Sequence, residues 1–438
     1  MKKMLLMGLT IMMVVVLAAC GSNNKAGSET GNSAAGGSGQ ISLSIWHNFS
    51  GDDQRAKTMR GLIEQYQSAH PEVKLDVQAI PADGYKQRLK TVAAANELPD
   101  VFLTNPGSMI AEFYNGDLIQ PIDDLLSAHQ GEWSDQFLPG AFDALSFDGK
   151  VYGAPINLSP STILYYNSAL FEKYNVKVPE TWDELMTAVQ AFKDNNIIPI
   201  VMGNKANWVA NSTVMSVLGD RVTGSDWYLN AVKGEGASFT DPEFVQALTY
   251  FKQLADAGAF QDGANSIDNA QAEQLFSQEQ AAMTLGGNWT LTDLASTASE
   301  DFLNKVEVTT FPSVPDGKGE SNAVTASTGT GFALNKKVEG AARDAALDLI
   351  YTISGPDAQK AIAESNILVN YKVDMDTAKA TPLFTKTYEL ISSVPFAPVY
   401  DAYMSSAGTE ALNNGLQELM LGGDPAAVAK KVQEAQGN

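Results

Sequence analysis

The chain of 438 residues has one cysteine, Cys20, and three histidines, His47, His70 and His129. A lone cysteine forms no intramolecular disulfide and supplies no thiolate cluster for zinc or iron–sulfur. Histidines so far apart in sequence argue against a multi-histidine metal site and offer few candidates for a histidine-based catalytic group. Basic residues are outnumbered as well: 29 Lys and Arg stand against 51 Asp and Glu, a net charge of −22. Such a surface disfavours nucleic acid and anionic lipid headgroups, though acidity alone names no ligand. GxxxxGK[ST], HExxH, an EF-hand loop and GxSxG are all missing, and "STGTGF" does not complete a dinucleotide fingerprint. Nothing therefore supports an enzyme, a cofactor or a metal. Paired acids such as Asp52-Asp53 suit a glycosidase in principle, but 51 acidic residues make some pair inevitable.

What is present begins at the N-terminus. Lys2 and Lys3 precede an apolar run from Met4 to Leu17, broken only by Gly8 and Thr10. That run has signal-peptide length and falls short of the roughly 20 residues that span a bilayer. It ends in Leu17-Ala18-Ala19-Cys20, which resembles the lipobox of bacterial lipoproteins, where small residues fit the peptidase and the cysteine sulfur takes the lipid. The alternative is a signal cleaved elsewhere, with Cys20 incidental. Residues 21–40, almost all Gly, Ser, Asn and Ala, have little to bury and read as a flexible tether spanning roughly 25 Å. Removing residues 1–19 takes away Lys2 and Lys3, moving the charge from −22 to −24, and leaves 419 residues. That length suffices for two or three domains.

Beyond the tether, Ile41, Leu43 and Ile45 alternate as in a strand, and Met59, Leu62, Ile63 and Tyr66 recur at helical spacing before Pro71. "EVKLDVQAI" reads as a strand, "GYKQRLKTVAAANE" as a helix and "DVFLTN" as a short buried strand. A β-α-β-α-β order predicts an α/β fold on a parallel sheet flanked by helices. Its ligand crevice should lie beyond the carboxyl ends of the strands, at "WHNFSG" and "TNPGS". Asp148-Gly149 signals a hairpin. "TILYYN" and "NIIPIVMG" read as strands, and Thr181 to Glu184 fits a capping box. The remainder reads as mostly helical, with an irregular segment over 309–331 and no internal repeat.

Residues 152–189, "YGAPINLSPSTILYYNSALFEKYNVKVPETWDELMTAV", resemble the signature block of family 1 extracellular solute-binding proteins of ABC transporters. "ELPDVFLTN", "AAMTLGGNW" and "TGTGFALNKK" resemble further family stretches, in order, over roughly residues 41–430. Among its members the chain looks most similar to carbohydrate binders. The resemblance implies two α/β lobes, each a largely parallel sheet flanked by helices, joined by a multi-segment hinge crossing near 156–159, 307–311 and 360–367. Lobe one would comprise 41–156 plus 310–362, and lobe two 158–308 plus 366–438. It further implies a non-enzymatic, monomeric receptor, held by its lipid on the outer face of the cytoplasmic membrane of a Gram-positive bacterium. That receptor would deliver a sugar or oligosaccharide to an ABC permease. A cationic solute such as a polyamine is the alternative ligand, and a surface glycosidase the alternative activity.

A sugar presents apolar C–H faces and many hydroxyls, so its site calls for flat aromatics beside short polar side chains. Candidates at the first strand end are Trp46, His47, Asn48, Phe49 and Asp53; Trp46 equally suits the core, and His47 and Asn48 a strand-end cap. Asn105 and Ser108 lie at a helix start, where Asn105 alternatively caps the helix. Asn157 and Ser159 fall at the first implied hinge crossing, where Asn157 alternatively satisfies hinge backbone. Trp289 matches a position that stacks on sugar in the family, with core packing as the other reading. Trp208 follows a strand and suits either the cleft or the core. Thr328 and Thr330 lie in the glycine-rich return, and Asp401 and Tyr403 match a late cleft-facing stretch. Trp182 is assigned to packing beside its cap.

Overall fold

The computed structural model describes residues 40–138, 140–374 and 380–437. Residues 1–39, with Cys20 and the stretches read as leader and tether, lie outside the described residues. Strand Ile41–His47 pairs in parallel with Val73–Ala79 on one side and Val101–Thr104 on the other. Helices Gln54–Ala69 and Ala82–Ala94 make the two crossovers. The first helix buries Met59, Leu62, Ile63 and Tyr66, the residues at helical spacing, and Asp53 caps it by accepting from Ala56 N at 2.9 Å. Such a cap satisfies one of the amide donors that a helix start leaves unpaired.

The parallel pattern stops there. Strand Gly331–Asn335 joins the sheet antiparallel to Val101–Thr104, and also pairs antiparallel with Ile119–Gln120 and Gly153–Pro155. It enters this sheet two residues after strand Val324–Thr328, which belongs to a different sheet. The second sheet runs Ile198–Val201, Ala281–Gly286, Ile163–Asn167, Val306–Thr310, and only its first pair is parallel. Both sheets are therefore mixed.

Two large cores follow from these sheets. The first draws on Leu43 to Ile156 and again on Phe332 to Tyr371. The second draws on Leu164 to Val314 and on Tyr400 to Val432. A third cluster sets Ile163, Tyr165, Ala281 and Val306 of the second sheet together with Leu158, Val324, Leu368, Leu383 and Phe384. Leu158–Pro160, Val324–Thr328 and Phe396–Pro398, which lie in the chain between stretches of the two large cores, form a three-stranded joining sheet. The chain thus passes between the two large cores over 156–164, 314–332 and 371–400. Phe311 and Val314 pack into the second core, and helix Pro356–Glu364 buries Ala358 and Ile362 in the first. The chain then stays with the first core through Tyr371.

Local signals differ in how they play out. Ser146–Phe147 and Lys150–Val151 form the hairpin, with Asp148 and Gly149 both at positive φ, 48° and 72°, as a type I′ turn requires. Thr181 caps its helix by accepting from Glu184 N at 3.4 Å, but Glu184 accepts from Glu180 N, one residue outside the expected box. The reciprocal box forms instead at Asp268 and Gln271. The segment read as irregular over 309–331 contains strand Val324–Thr328.

Candidate functional site

A cavity of about 580 Å³ lies where residues of the two large cores and of the joining sheet meet. Asn105 and Ser108 reach it from the loop and helix start after strand Val101–Thr104. This is a crevice position beyond a strand's carboxyl end. From the opposite side come Trp208, Ser212, Trp289, Asp401 and Asn413.

The two tryptophans make a corner, with ring centroids 5.5 Å apart and planes at 77°. Trp289 is the second residue of helix Asn288–Thr297, which follows Gly286 and Gly287. A Cβ on Gly287 would overlap the Pro160 carbonyl oxygen and the Trp289 ring, and one on Gly286 would overlap the Thr290 side chain. Gly287 is therefore required by close backbone approach. The indole Nε1 of Trp289 is buried and has no hydrogen-bond partner among the described residues. Trp208 is set by the loop before it, where Asn207 adopts a left-handed φ of 57°. Asn207 Nδ2 donates to Glu410 Oε1 at 3.2 Å and to Asn414 Oδ1 at 3.1 Å. Fully buried Asn204 accepts from Ala210 N at 3.0 Å and so pins the same loop.

Polar groups surround this corner. A π-helical turn, Asn211–Met215, turns Ser212 toward Asp401, whose Oδ2 accepts from Ser212 Oγ at 2.5 Å. Burial raises the Asp401 pKa, opposed by that hydrogen bond and by nearby Lys86. Asn413 Oδ1 accepts from Asn211 Nδ2 at 2.9 Å. Thr409, on the same helix as Asn413, lines the cavity with an unpartnered hydroxyl. Charges balance in the wall, with Lys86 and Lys90 against Asp401 and Glu410.

Of the residues singled out in the sequence, Asn105, Ser108, Trp208, Trp289, Thr328, Thr330 and Asp401 line this cavity. Thr328 has its hydroxyl engaged, donating to Ala141 O at 2.5 Å and accepting from Asn370 Nδ2 at 3.3 Å. Thr330 accepts from Arg55 Nη2 at 3.1 Å. Asn157 is buried and satisfies hinge backbone: its Oδ1 accepts from Thr330 N at 3.1 Å. Ser159 sits in the joining sheet opposite Ser327.

None of the candidates at the first strand end is among the lining residues. Trp46 is buried in the first core, with the Arg88 guanidinium 4.7 Å from its ring centre. His47 is fully buried; its Nδ1 accepts from Phe49 N at 3.2 Å and its ring stacks on Phe49. Burial, with a smaller effect from Arg60, pushes the His47 pKa down to about 4. Phe49 is itself a core residue, Asp53 is a helix cap, and the backbone carbonyl of Asn48 accepts from Ser50 N. Tyr403 lines a neighbouring cavity of about 500 Å³.

Ser212, Thr409, Glu410 and Asn413 were not singled out. One signal for them was available: "NST" at 211–213 and "NN" at 413–414 place amides and hydroxyls among residues at core spacing. Buried polar groups need partners, so such runs mark either a network or a site.

Two lobes on mixed sheets, joined by three passages and sharing a polar cavity with an aromatic corner, define a two-lobe binding protein. The family model of bacterial extracellular solute-binding proteins matches residues 51–384, and the chain belongs to that family. A solved structure concerned with xylan utilization by Caldanaerobius polysaccharolyticus is 28% identical, with a TM-score of 0.81, covering 90% of this chain and 99% of that one. A chitin oligosaccharide binding protein has a TM-score of 0.80 at 23% identity, covering 90% and 98%, a likeness of fold. The multiple sugar-binding protein of Streptococcus mutans is 26% identical over 339 residues, 75% of this chain and 73% of that protein. An ABC transporter extracellular-binding protein of Pyrococcus horikoshii, PH1214, is 25% identical over 295 residues, 66% of this chain. The match spans 65% of PH1214, and a second Pyrococcus relative, PH1039, is matched over 52% of its length.

Proposed function

We propose that the chain captures a neutral oligosaccharide between its lobes and presents it to the permease of an ABC importer. The observation that carries this reading is the Trp208–Trp289 corner on the cavity wall. Two near-perpendicular aromatic faces suit the C–H faces of a sugar. The balanced wall charges favour an uncharged ligand over a polyamine. A cavity of about 580 Å³ is the size of a small-molecule site and suits a short oligosaccharide. Sugar binding by the Streptococcus mutans relative supports the ligand class. Its lipobox-like "LAAC" supports attachment of a lipid at Cys20, holding the receptor outside the membrane beside its permease.

Ligand contacts made on both lobes favour the closed state by their difference between closed and open forms. A thermal-shift panel of xylotriose, chitotriose, raffinose, galactose and spermidine tests this. A sugar at 100 times its dissociation constant should stabilise the protein by about 2.7 kcal/mol and be recovered intact. New reducing ends in the recovered sugar would favour a glycosidase, and a shift with spermidine alone would replace the ligand class.

A further inference from the structure

The two lobes also touch outside the ligand-facing residues. Gly107 precedes helix Ser108–Asn115 of the first core with φ 69° and ψ −126°, and its N–H is held by Ala144 O at 2.7 Å. The backbone of Ala402, in the short helix Tyr400–Tyr403 of the second core, passes so close that a Cβ on Gly107 would overlap the Ala402 carbonyl. One helical turn on, Glu112 Oε1 accepts from Ser406 Oγ at 2.8 Å and from Lys90 Nζ at 2.8 Å. Lys90 belongs to the same lobe as Glu112 and holds the carboxylate in place. Ser406 belongs to the other lobe, at the first turn of helix Ser406–Met420. The carboxylate thus meets the positive end of a 15-residue helix, which favours an anion there.

These contacts form a partition. Ser108, Ala402 and Ser406 line both the 580 Å³ cavity and its 500 Å³ neighbour, whereas Gly107 and Glu112 line only the neighbour. We propose that Gly107–Ala402 and Glu112–Ser406 form an interlobe clasp that walls off one side of the binding cavity and holds the lobes together. Gly107 and Glu112 are then positioning residues that set how long a ligand stays without touching it. The proposal rests on the larger cavity being the ligand site.

The test uses the full chain carrying E112C and S406C, treated with a short bis-methanethiosulfonate linker and mapped by peptide mass spectrometry. An intramolecular 112–406 link is expected, in higher yield with whichever of xylotriose, chitotriose and raffinose binds. With that same sugar, Glu112→Ala should raise the dissociation rate about two- to tenfold, the range for losing one hydrogen bond. Its association rate should stay unchanged, and Glu112→Gln should recover part of the loss. Two thiols that label singly but never link would overturn the clasp, as would a Glu112→Ala dissociation rate equal to wild type. A link that forms while none of the three sugars binds would uphold the clasp and count against the sugar reading.

Discussion

Trp289 carries the ligand-binding reading at the scale of single residues. Replacing it with Ala removes a stacking face from the cavity wall. Truncating an aromatic anchor of this kind costs about 2 kcal/mol or more, a thirtyfold or greater rise in Kd. Trp289→Phe keeps part of the aromatic face, so titration calorimetry should rank wild type first, Phe second and Ala last. His47 tests a different property. Its folded pKa of about 4 lies below the ordinary 6.5, so the unfolded chain binds the proton more readily. The neutral ring's full contribution is present above pH 6.5 and is lost as pH falls toward 4, by at most about 3 kcal/mol. Urea melts from pH 7 to 4 should fall less steeply for His47→Leu than for wild type. The sequence placed His47 and Trp46 at a strand end, the right address for a crevice. It did not reveal that Arg88 and Phe49 cover them, because those contacts depend on side-chain packing across elements.

Helices Asn269–Ser277 and Asn288–Thr297 hold a buried acid between them. Glu273 is almost wholly buried, accepts from Asn269 at 2.8 Å and faces Thr290 and Asp293. Burial first, then the Asp293 charge, pushes its pKa up to about 8. A raised folded pKa means that the protonated form's contribution is complete below the ordinary carboxylate range and is lost as pH rises through 8. Glu273→Gln should therefore melt at a higher temperature than wild type at pH 9, with the advantage shrinking by pH 5. Elements of this kind differ in how readable they were. Helix Gln54–Ala69, the three parallel strands and the Asp148-Gly149 hairpin each carry their own period or turn chemistry, and all form as read. Strand direction beyond the first three is not local information, since Gly331–Asn335 meets Val101–Thr104 across more than 200 residues of chain.

At the scale of the molecule, the joining sheet matters most. Leu158–Pro160, Val324–Thr328 and Phe396–Pro398 come from three distant stretches and meet in one sheet. No periodicity in any one stretch announces that meeting. The cavity is likewise assembled from at least five stretches. The sequence reading reached those where an aromatic or a glycine pair stood out and passed over Ser212, Thr409 and Asn413, ordinary polar residues on helical segments. Isothermal titration of the full chain with xylotriose, chitotriose and raffinose, in wild type and Trp289→Ala, tests capture of a sugar most directly. Saturable binding of one sugar per chain, weakened at least thirtyfold by the substitution, is the expected result. Absence of heat with every sugar, or equal affinity in the two proteins, would contradict it.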